Sequence, residues 1–100
     1  MTLRKETITV QHGYDAGECL GAAKPPLISS STFVYPSAAA AKELHEAFFD
    51  GKEGPRGFIY GRLGHPNLEM AERRLAALDG AEEAAIFASG MAAASAALFA

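Results

Sequence analysis

The chain has 100 residues, of which 49% are hydrophobic and 21% are charged, and its formal net charge is -3 at pH 7. This composition is too apolar for intrinsic disorder, and the length suits one small domain or a piece of a larger one. The Lys and Arg residues are scattered and the pI is near 5.5, which argues against a nucleic-acid-binding surface.

Residues 1–36 are rich in glycine and proline and show little helical periodicity. Thr7–Val10 is predicted to be a short extended segment, and 29–35 is also rich in β-favouring residues. Pro25 and Pro26 require an extended backbone. A segment of this length and composition cannot bury its own backbone, so it is predicted to be an arm that lies on another surface.

A first helix is predicted after Pro36, with Ser37 as its N-cap and an end before Asp50-Gly51. His45 falls at the edge of its apolar face and is expected in solvent. The apolar face itself has helical spacing and consists of Ala40, Ala41, Leu44, Ala47 and Phe48. The glycine-rich, charged loop 50–57 is expected to be exposed.

A second helix is predicted after Pro66, with Asn67 as its cap, a Glu69–Arg73 pair on its surface and Asp79-Gly80 as its end. The apolar run 84–87 then predicts a buried strand, and Ser89-Gly90 leads into an alanine-rich helix. The order of arm, helix, loop, helix, strand and helix predicts an α/β protein.

Residues 84–100 carry no charge. The run is close to the minimum length of a membrane span, but it is mostly alanine and Ser89-Gly90 interrupts it, so no membrane association is predicted. The sequence also ends inside a stretch of strongly helix-forming residues, without a closing glycine or a cationic last turn. The chain is therefore expected to be the front part of a longer protein.

Two phrases indicate a phosphorylated ligand. Ser89-Gly90-Met91 begins a helix, where backbone N–H groups have no intrahelical partner and the helix dipole favours an anion. Tyr60 and Arg62 offer a phenol and a guanidinium two positions apart, and both groups donate to phosphate oxygens. Without further context, the first phrase is also compatible with an ordinary turn and the second with a surface pair.

Metal and disulfide chemistry are not expected. The three histidines are far apart in sequence, and Cys19 is the one cysteine of the chain, so no ligand cluster or internal disulfide is predicted. The free thiol and the lack of a signal-peptide pattern at the N-terminus favour the cytoplasm.

Several phrases together resemble the N-terminal part of the Cys/Met-metabolism family of enzymes, which use pyridoxal 5′-phosphate (PLP). The phrases are HGYD at 12–15, PPLISSSTFVYPS at 25–37, IYGRLGHPNLEMAERRLAALDGAE at 59–82 and FASGMAA at 87–93. They occur in the family's order over nearly the whole chain. The resemblance implies an α/β fold of the aspartate aminotransferase type, in which 1–57 is an arm, helix and loop that contact a partner subunit, and 58–100 is the truncated start of the PLP-binding domain.

The resemblance also implies roles for individual residues. Tyr60 and Arg62 correspond to the phrase that reaches the cofactor phosphate of the neighbouring subunit, and Tyr60 is in addition credited with a catalytic role near the substrate. Ser89, Gly90 and Met91 correspond to the phrase that binds the phosphate of the subunit's own cofactor. Identical subunits, as a dimer of dimers, are the implied partners.

The family's cofactor-binding lysine, its acidic partner of the pyridine nitrogen and its ring-stacking aromatic residue are expected beyond residue 100. Lys42 and Lys52 match a helix surface and a loop instead, so this segment alone is expected to be inactive. Where the family has Asn-Pro-Thr, this chain has His65, Pro66 and Asn67, which is interpreted as a variation of a helix cap.

The leading functional interpretation is γ-elimination or γ-replacement on a sulfur-containing amino acid. A lyase is favoured over a transferase because HGYD at 12–15 resembles methionine γ-lyase. The alternatives are an O-acetylhomoserine sulfhydrylase, a cystathionine γ-synthase, or a non-catalytic module that binds a phosphorylated ligand or a partner chain. The residues that distinguish these activities are expected outside this sequence.

Overall fold

The computed structural model describes residues 2–100. It contains four α-helices, which are α1 (Lys5–Gln11), α2 (Ala38–Asp50), α3 (Pro66–Asp79) and α4 (Gly90–Phe99), and a short 3-10 turn at Gly17–Cys19. Two compact units form: the first joins the residues up to Pro26 with Leu68–Ala100, and the second is Leu27–Asn67. None of the helices in 2–100 is long and apolar enough to cross a membrane.

The predicted extended segment at Thr7–Val10 is wrong, because these residues lie within α1. An isolated β-favouring stretch has no neighbouring strand to satisfy its backbone groups, whereas a helix satisfies them locally. The Thr9 hydroxyl adds a local bond by donating to the carbonyl of Lys5, with an O···O distance of 2.8 Å. Local hydrogen bonding therefore outweighs the β preference here.

In the first unit, the chain after α1 packs closely against α3. Gly13 has a φ of +78°, and a Cβ atom at this position would lie 2.8 Å from the carbonyl oxygen of Met70. The Arg74 Nε donates to the carbonyl of His12 at 3.0 Å, while its Nη2 is buried and has no partner within 2–100. Tyr14 donates its hydroxyl proton to the Ala22 carbonyl. Within the HGYD motif, His12 and Gly13 thus contact α3, whereas Tyr14 bonds within the N-terminal segment itself.

In the second unit, α2 begins at the predicted cap. The Ser37 hydroxyl accepts from the Ala40 N–H at 3.1 Å, and Gly51 ends the helix with a φ of 64°. The helix includes Asp50, one residue more than predicted, because Gly51 supplies the left-handed conformation that stops it. The ring of His45 is half-buried rather than in solvent, and its Nδ1 lies 2.7 Å from the Ala41 carbonyl oxygen.

Helix α3 starts at Pro66, two residues before the start that a cap at Asn67 predicts. Pro66 is already helical, and Asn67 therefore lies inside the first turn instead of capping it. The side chain at the cap position belongs to His65, whose Nδ1 accepts from the Asn67 N–H at 3.2 Å. Proline at the first helical position costs no hydrogen bond, which explains this start. The predicted Glu69–Arg73 pair is confirmed as an ion pair on the helix surface.

The predicted buried strand at 84–87 is not formed within residues 2–100, whose only β feature is an isolated bridge between Thr32 and Tyr60. Ile86 and Phe87 are exposed, and the Ile86 N–H donates to the Glu72 carboxylate at 2.9 Å. A β-strand requires a neighbouring strand with which to pair, and residues 84–87 have none within 2–100. Ala76 is the one buried apolar residue among those described, so little core is formed.

Candidate phosphate-binding site

The backbone that carries Tyr60 and Arg62 forms a tight turn held by the segment beside it. Thr32 and Tyr60 form an antiparallel bridge, and the Gly61 N–H donates to the Ser31 carbonyl at 2.8 Å. The Tyr60 carbonyl then accepts from the N–H groups of Leu63 and Gly64, at 2.8 and 3.1 Å. Backbone hydrogen bonds therefore hold the turn to the neighbouring segment and also close it internally.

The two side chains of this turn are brought together. The Arg62 Cζ lies over the Tyr60 ring, 4.9 Å from its centroid, within the range of a cation–π contact. Arg62 is exposed and Tyr60 is half-buried. Within residues 2–100, neither the phenol hydroxyl nor the guanidinium has a hydrogen-bond partner, so both donors are available to an anion.

The start of α4 offers a second set of donors. Ser89 is the N-cap, with φ -151° and ψ 158°, and its hydroxyl accepts from the Ala92 N–H at 3.1 Å. The Ala93 N–H donates to the Ser89 carbonyl. The N–H groups of Gly90 and Met91 have no acceptor within 2–100, and a Cβ atom at Gly90 would meet nothing within 4 Å. The predicted helix start at Ser89-Gly90 is confirmed.

Both donor sets suit a phosphate dianion. Backbone amides and an arginine stay in their donating form near neutral pH, so the arrangement requires no proton to move. Tyr60 and Arg62 belong to the second unit, whereas Ser89, Gly90 and Met91 belong to the first. Within 2–100, no group of three or more His, Cys, Asp or Glu residues is arranged to hold a metal ion.

The predicted surface lysines take no part in either donor set. Lys42 lies 3.8 Å from Glu46, its partner one turn away on α2. Lys52 lies 3.6 Å from both Glu46 and Asp50. Both ammonium groups are exposed and paired with carboxylates, which confirms that Lys42 lies on a helix surface and Lys52 in a loop.

The sequence interpretation missed the structural part played by His65 and Asn67. His65 does take the cap position, but Asn67 lies inside the first turn of α3 and its Oδ1 accepts from the Ile28 N–H at 2.9 Å. His65 also packs edge-on against Phe33, with ring centroids 6.3 Å apart. No short-range pattern could reveal these contacts, because residues 28 and 67 are distant in the chain.

The profile of the Cys/Met metabolism PLP-dependent enzyme family matches residues 6–100. The chain is 36% identical to L-methionine gamma-lyase of Pseudomonas putida over 85 residues, which are 85% of this chain and 20% of that protein. It is 37% identical to cystathionine beta-lyase MetC of Staphylococcus haemolyticus, over 98% of this chain and 21% of the relative. It is 32% identical to cystathionine gamma-synthase of Escherichia coli, over 93% of this chain and 20% of the relative.

The chain therefore belongs to the PLP-dependent enzyme family of cysteine and methionine metabolism. It spans about a fifth of the length of the curated relatives that it matches. The cofactor of the family is pyridoxal 5′-phosphate, and the free donors of Arg62, Gly90 and Met91 fit the phosphate of that group.

Proposed function

We propose that the chain is the N-terminal part of a PLP-dependent carbon–sulfur lyase or transferase that performs γ-elimination or γ-replacement on a sulfur-containing amino acid. The observation that carries the proposal is the Tyr60–Arg62 pair, whose donors have no partner among the described residues and whose backbone turn is fixed. Membership of the family supplies the cofactor to which those donors are matched. When bound, PLP withdraws electrons from carbanions formed on the substrate.

In this proposal, the residues of this chain bind and orient the cofactor. Arg62 and the Tyr60 hydroxyl donate to the phosphate of a neighbouring subunit's cofactor, and the N–H groups of Gly90 and Met91 donate to the phosphate of the subunit's own cofactor. The Ser89 hydroxyl caps α4 and keeps its first turn in place. Tyr60 additionally acts near the substrate, where its hydroxyl can hold or move a proton.

Subunit sharing is supported by apolar side chains that residues 2–100 leave uncovered. Leu20, Leu27 and Val34 are all almost fully exposed. Scattered single apolar residues are ordinary, but a segment that carries three of them and has no core favours a second surface. We assign 1–57 to an arm, helix and loop that contact an identical subunit in a dimer of dimers, and 58–100 to the start of an aspartate-aminotransferase-like PLP domain with its α/β sheet.

The γ-lyase branch is favoured by the HGYD phrase at 12–15 and by the resemblance to L-methionine gamma-lyase of Pseudomonas putida. The similarity to cystathionine gamma-synthase of Escherichia coli supports a transferase as the second candidate. A reducing compartment such as the cytoplasm is supported by Cys19, which is a free thiol.

The experiment measures PLP affinity of the full-length apoenzyme by equilibrium dialysis for Arg62→Ala and for Arg56→Ala. Arg56 is the matched control, because it is exposed and has no ion-pair partner within 2–100. Loss of a charge-assisted contact is expected to weaken binding by about ten- to hundredfold for Arg62→Ala. The control is expected to match the wild type. Equal affinities for both variants would refute the phosphate role of Arg62.

A further inference from the structure

The turn that presents Tyr60 and Arg62 is held by one neighbouring segment, residues 28–33, at three places. The bridge at Thr32 and the bond from Gly61 to Ser31 act at the start of the turn. The Phe33 ring packs against Phe58, with centroids 5.5 Å apart. The third contact lies downstream of the turn, where the side chain of Asn67 accepts a hydrogen bond from the Ile28 N–H.

Asn67 connects this segment with α3. Its Oδ1 accepts from the Ile28 N–H at 2.9 Å, and its own N–H donates to the His65 Nδ1 at 3.2 Å. Asn67 is part of α3, so its backbone is fixed by the helix. Ile28 and Asn67 both belong to the second unit, so their bond joins the start of this unit to its end and restrains residues 28–33. Those residues in turn hold the backbone of Tyr60 and Gly61.

The contact is specific to the side chain at this position. Alanine carries no side-chain acceptor, so the bond to the Ile28 N–H depends on the amide oxygen of Asn67. The hydrogen bond is half-buried, and a backbone N–H that loses its acceptor in such a place is costly.

We propose that Asn67 is a positioning residue for phosphate binding, which acts through the 28–33 segment on Tyr60 and Arg62. This inference rests on the proposed function, because it assumes that those two side chains bind the cofactor. Asn67 itself need not touch the cofactor. Its contribution is to reduce the number of conformations from which Arg62 reaches the phosphate, which raises the affinity without adding a contact.

The test is a double-mutant cycle on PLP affinity in the full-length apoenzyme, with wild type, Asn67→Ala, Arg62→Ala and the double variant. Asn67→Ala is expected to weaken PLP binding by about three- to tenfold, since one net hydrogen bond orders the turn. In the Arg62→Ala background the same change is expected to cost less than about twofold, because interacting residues are not additive. Thermal melts of the apoenzymes report the separate effect on stability.

The outcomes distinguish the two proposals. If Arg62→Ala binds PLP as the wild type does, the proposed function fails. If Arg62→Ala weakens binding but Asn67→Ala does not, or if the two effects are fully additive, the positioning role is overturned. Ile28→Pro removes the same hydrogen bond from its donor side without altering α3, and it is expected to show the same coupling to Arg62. Additivity in that variant would also contradict the inference.

Discussion

Arg62 lies over the ring of Tyr60, with its Cζ 4.9 Å from the ring centroid. The contact leaves the edge of the guanidinium and the phenol hydroxyl unpaired within 2–100, so the pair keeps its donors for an external anion. Because Tyr60 is half-buried and its backbone is bridged to Thr32, it serves as a fixed platform for the exposed Arg62. We therefore expect the ring and the hydroxyl of Tyr60 to contribute separately to phosphate binding.

These two contributions can be separated by substitution. Tyr60→Phe keeps the ring under Arg62 and removes only the hydroxyl, whereas Tyr60→Ala removes both. We expect both variants of the full-length enzyme to bind PLP more weakly, and Tyr60→Ala to be worse by about two- to fivefold, the value of an exposed cation–π contact. Fluorescence titration of the apoenzyme with PLP measures the difference. Equal affinities of the two variants would mean that the ring does not position Arg62.

The first turn of α4 allows one backbone donor to be deleted without breaking the helix. Gly90→Pro removes the Gly90 N–H, and proline is well tolerated at the first helical position after the extended backbone of Ser89. Gly90→Ala is the matched control, because it keeps the N–H and its Cβ has open space.

We expect the proline variant to bind PLP about ten- to hundredfold more weakly, since a hydrogen bond to a charged group is lost, and the alanine variant to bind almost normally. Dialysis of each holoenzyme against buffer measures cofactor retention, while circular dichroism checks that helix content is kept. If both variants retain PLP equally, the Gly90 amide does not bind the phosphate.

The sequence predicted α2, α3 and α4 but not α1, and it predicted the extended segments poorly. The cap at Ser37, the helix start at Ser89-Gly90, the stops at Gly51 and Gly80 and the Glu69–Arg73 pair depend on residues within one or two turns of each other, so local patterns suffice. The strand at 84–87 depends on neighbours that are not present within 2–100. Thr7–Val10 became helical for the same reason.

The candidate site also combines features that local sequence predicts with features that depend on residues distant in the chain. The donor character of Tyr60, Arg62 and the Ser89-Gly90 helix start could be predicted from residue type and position alone. What holds the turn in place could not be predicted. The contact of Asn67 with Ile28 joins residues on either side of α2, and only the folded second unit brings them together.

The docking of the arm on α3 depends on Gly13. Gly13→Ala combines a left-handed φ of +78° with a Cβ that would lie 2.8 Å from the Met70 carbonyl oxygen, whereas Gly21→Ala has a φ of +77° and nothing within 4 Å. Both variants bear the left-handed cost of about 1–2 kcal/mol, but only Gly13→Ala adds a clash with backbone. We expect limited proteolysis of the full-length enzyme to release the arm faster in Gly13→Ala. Equal cleavage rates would contradict the tight packing.

The isolated 100-residue chain is expected to be inactive and prone to association. Ala76 is its one buried apolar residue among those described, and Met91, Leu98 and Phe99 on α4 are at least 76% exposed. Such apolar surface favours self-association. We expect sedimentation velocity to show oligomers and thermal unfolding to be broad. Incubation of the chain with PLP and sulfur amino acids is expected to yield no product above a control with PLP alone. A monodisperse monomer with a sharp melt, or clear turnover, would contradict this expectation.

Arg62 is proposed to bind the phosphate of a neighbouring subunit's cofactor. The most direct measurement mixes full-length Arg62→Ala subunits with subunits whose cofactor-binding lysine has been replaced, each of which is expected to have little activity alone. In mixed oligomers, one site combines an intact lysine with an intact Arg62 from the other chain, so activity is expected to reappear. Mixing is verified by mass spectrometry of the native oligomers. An absence of recovery in oligomers shown to be mixed would contradict a shared site.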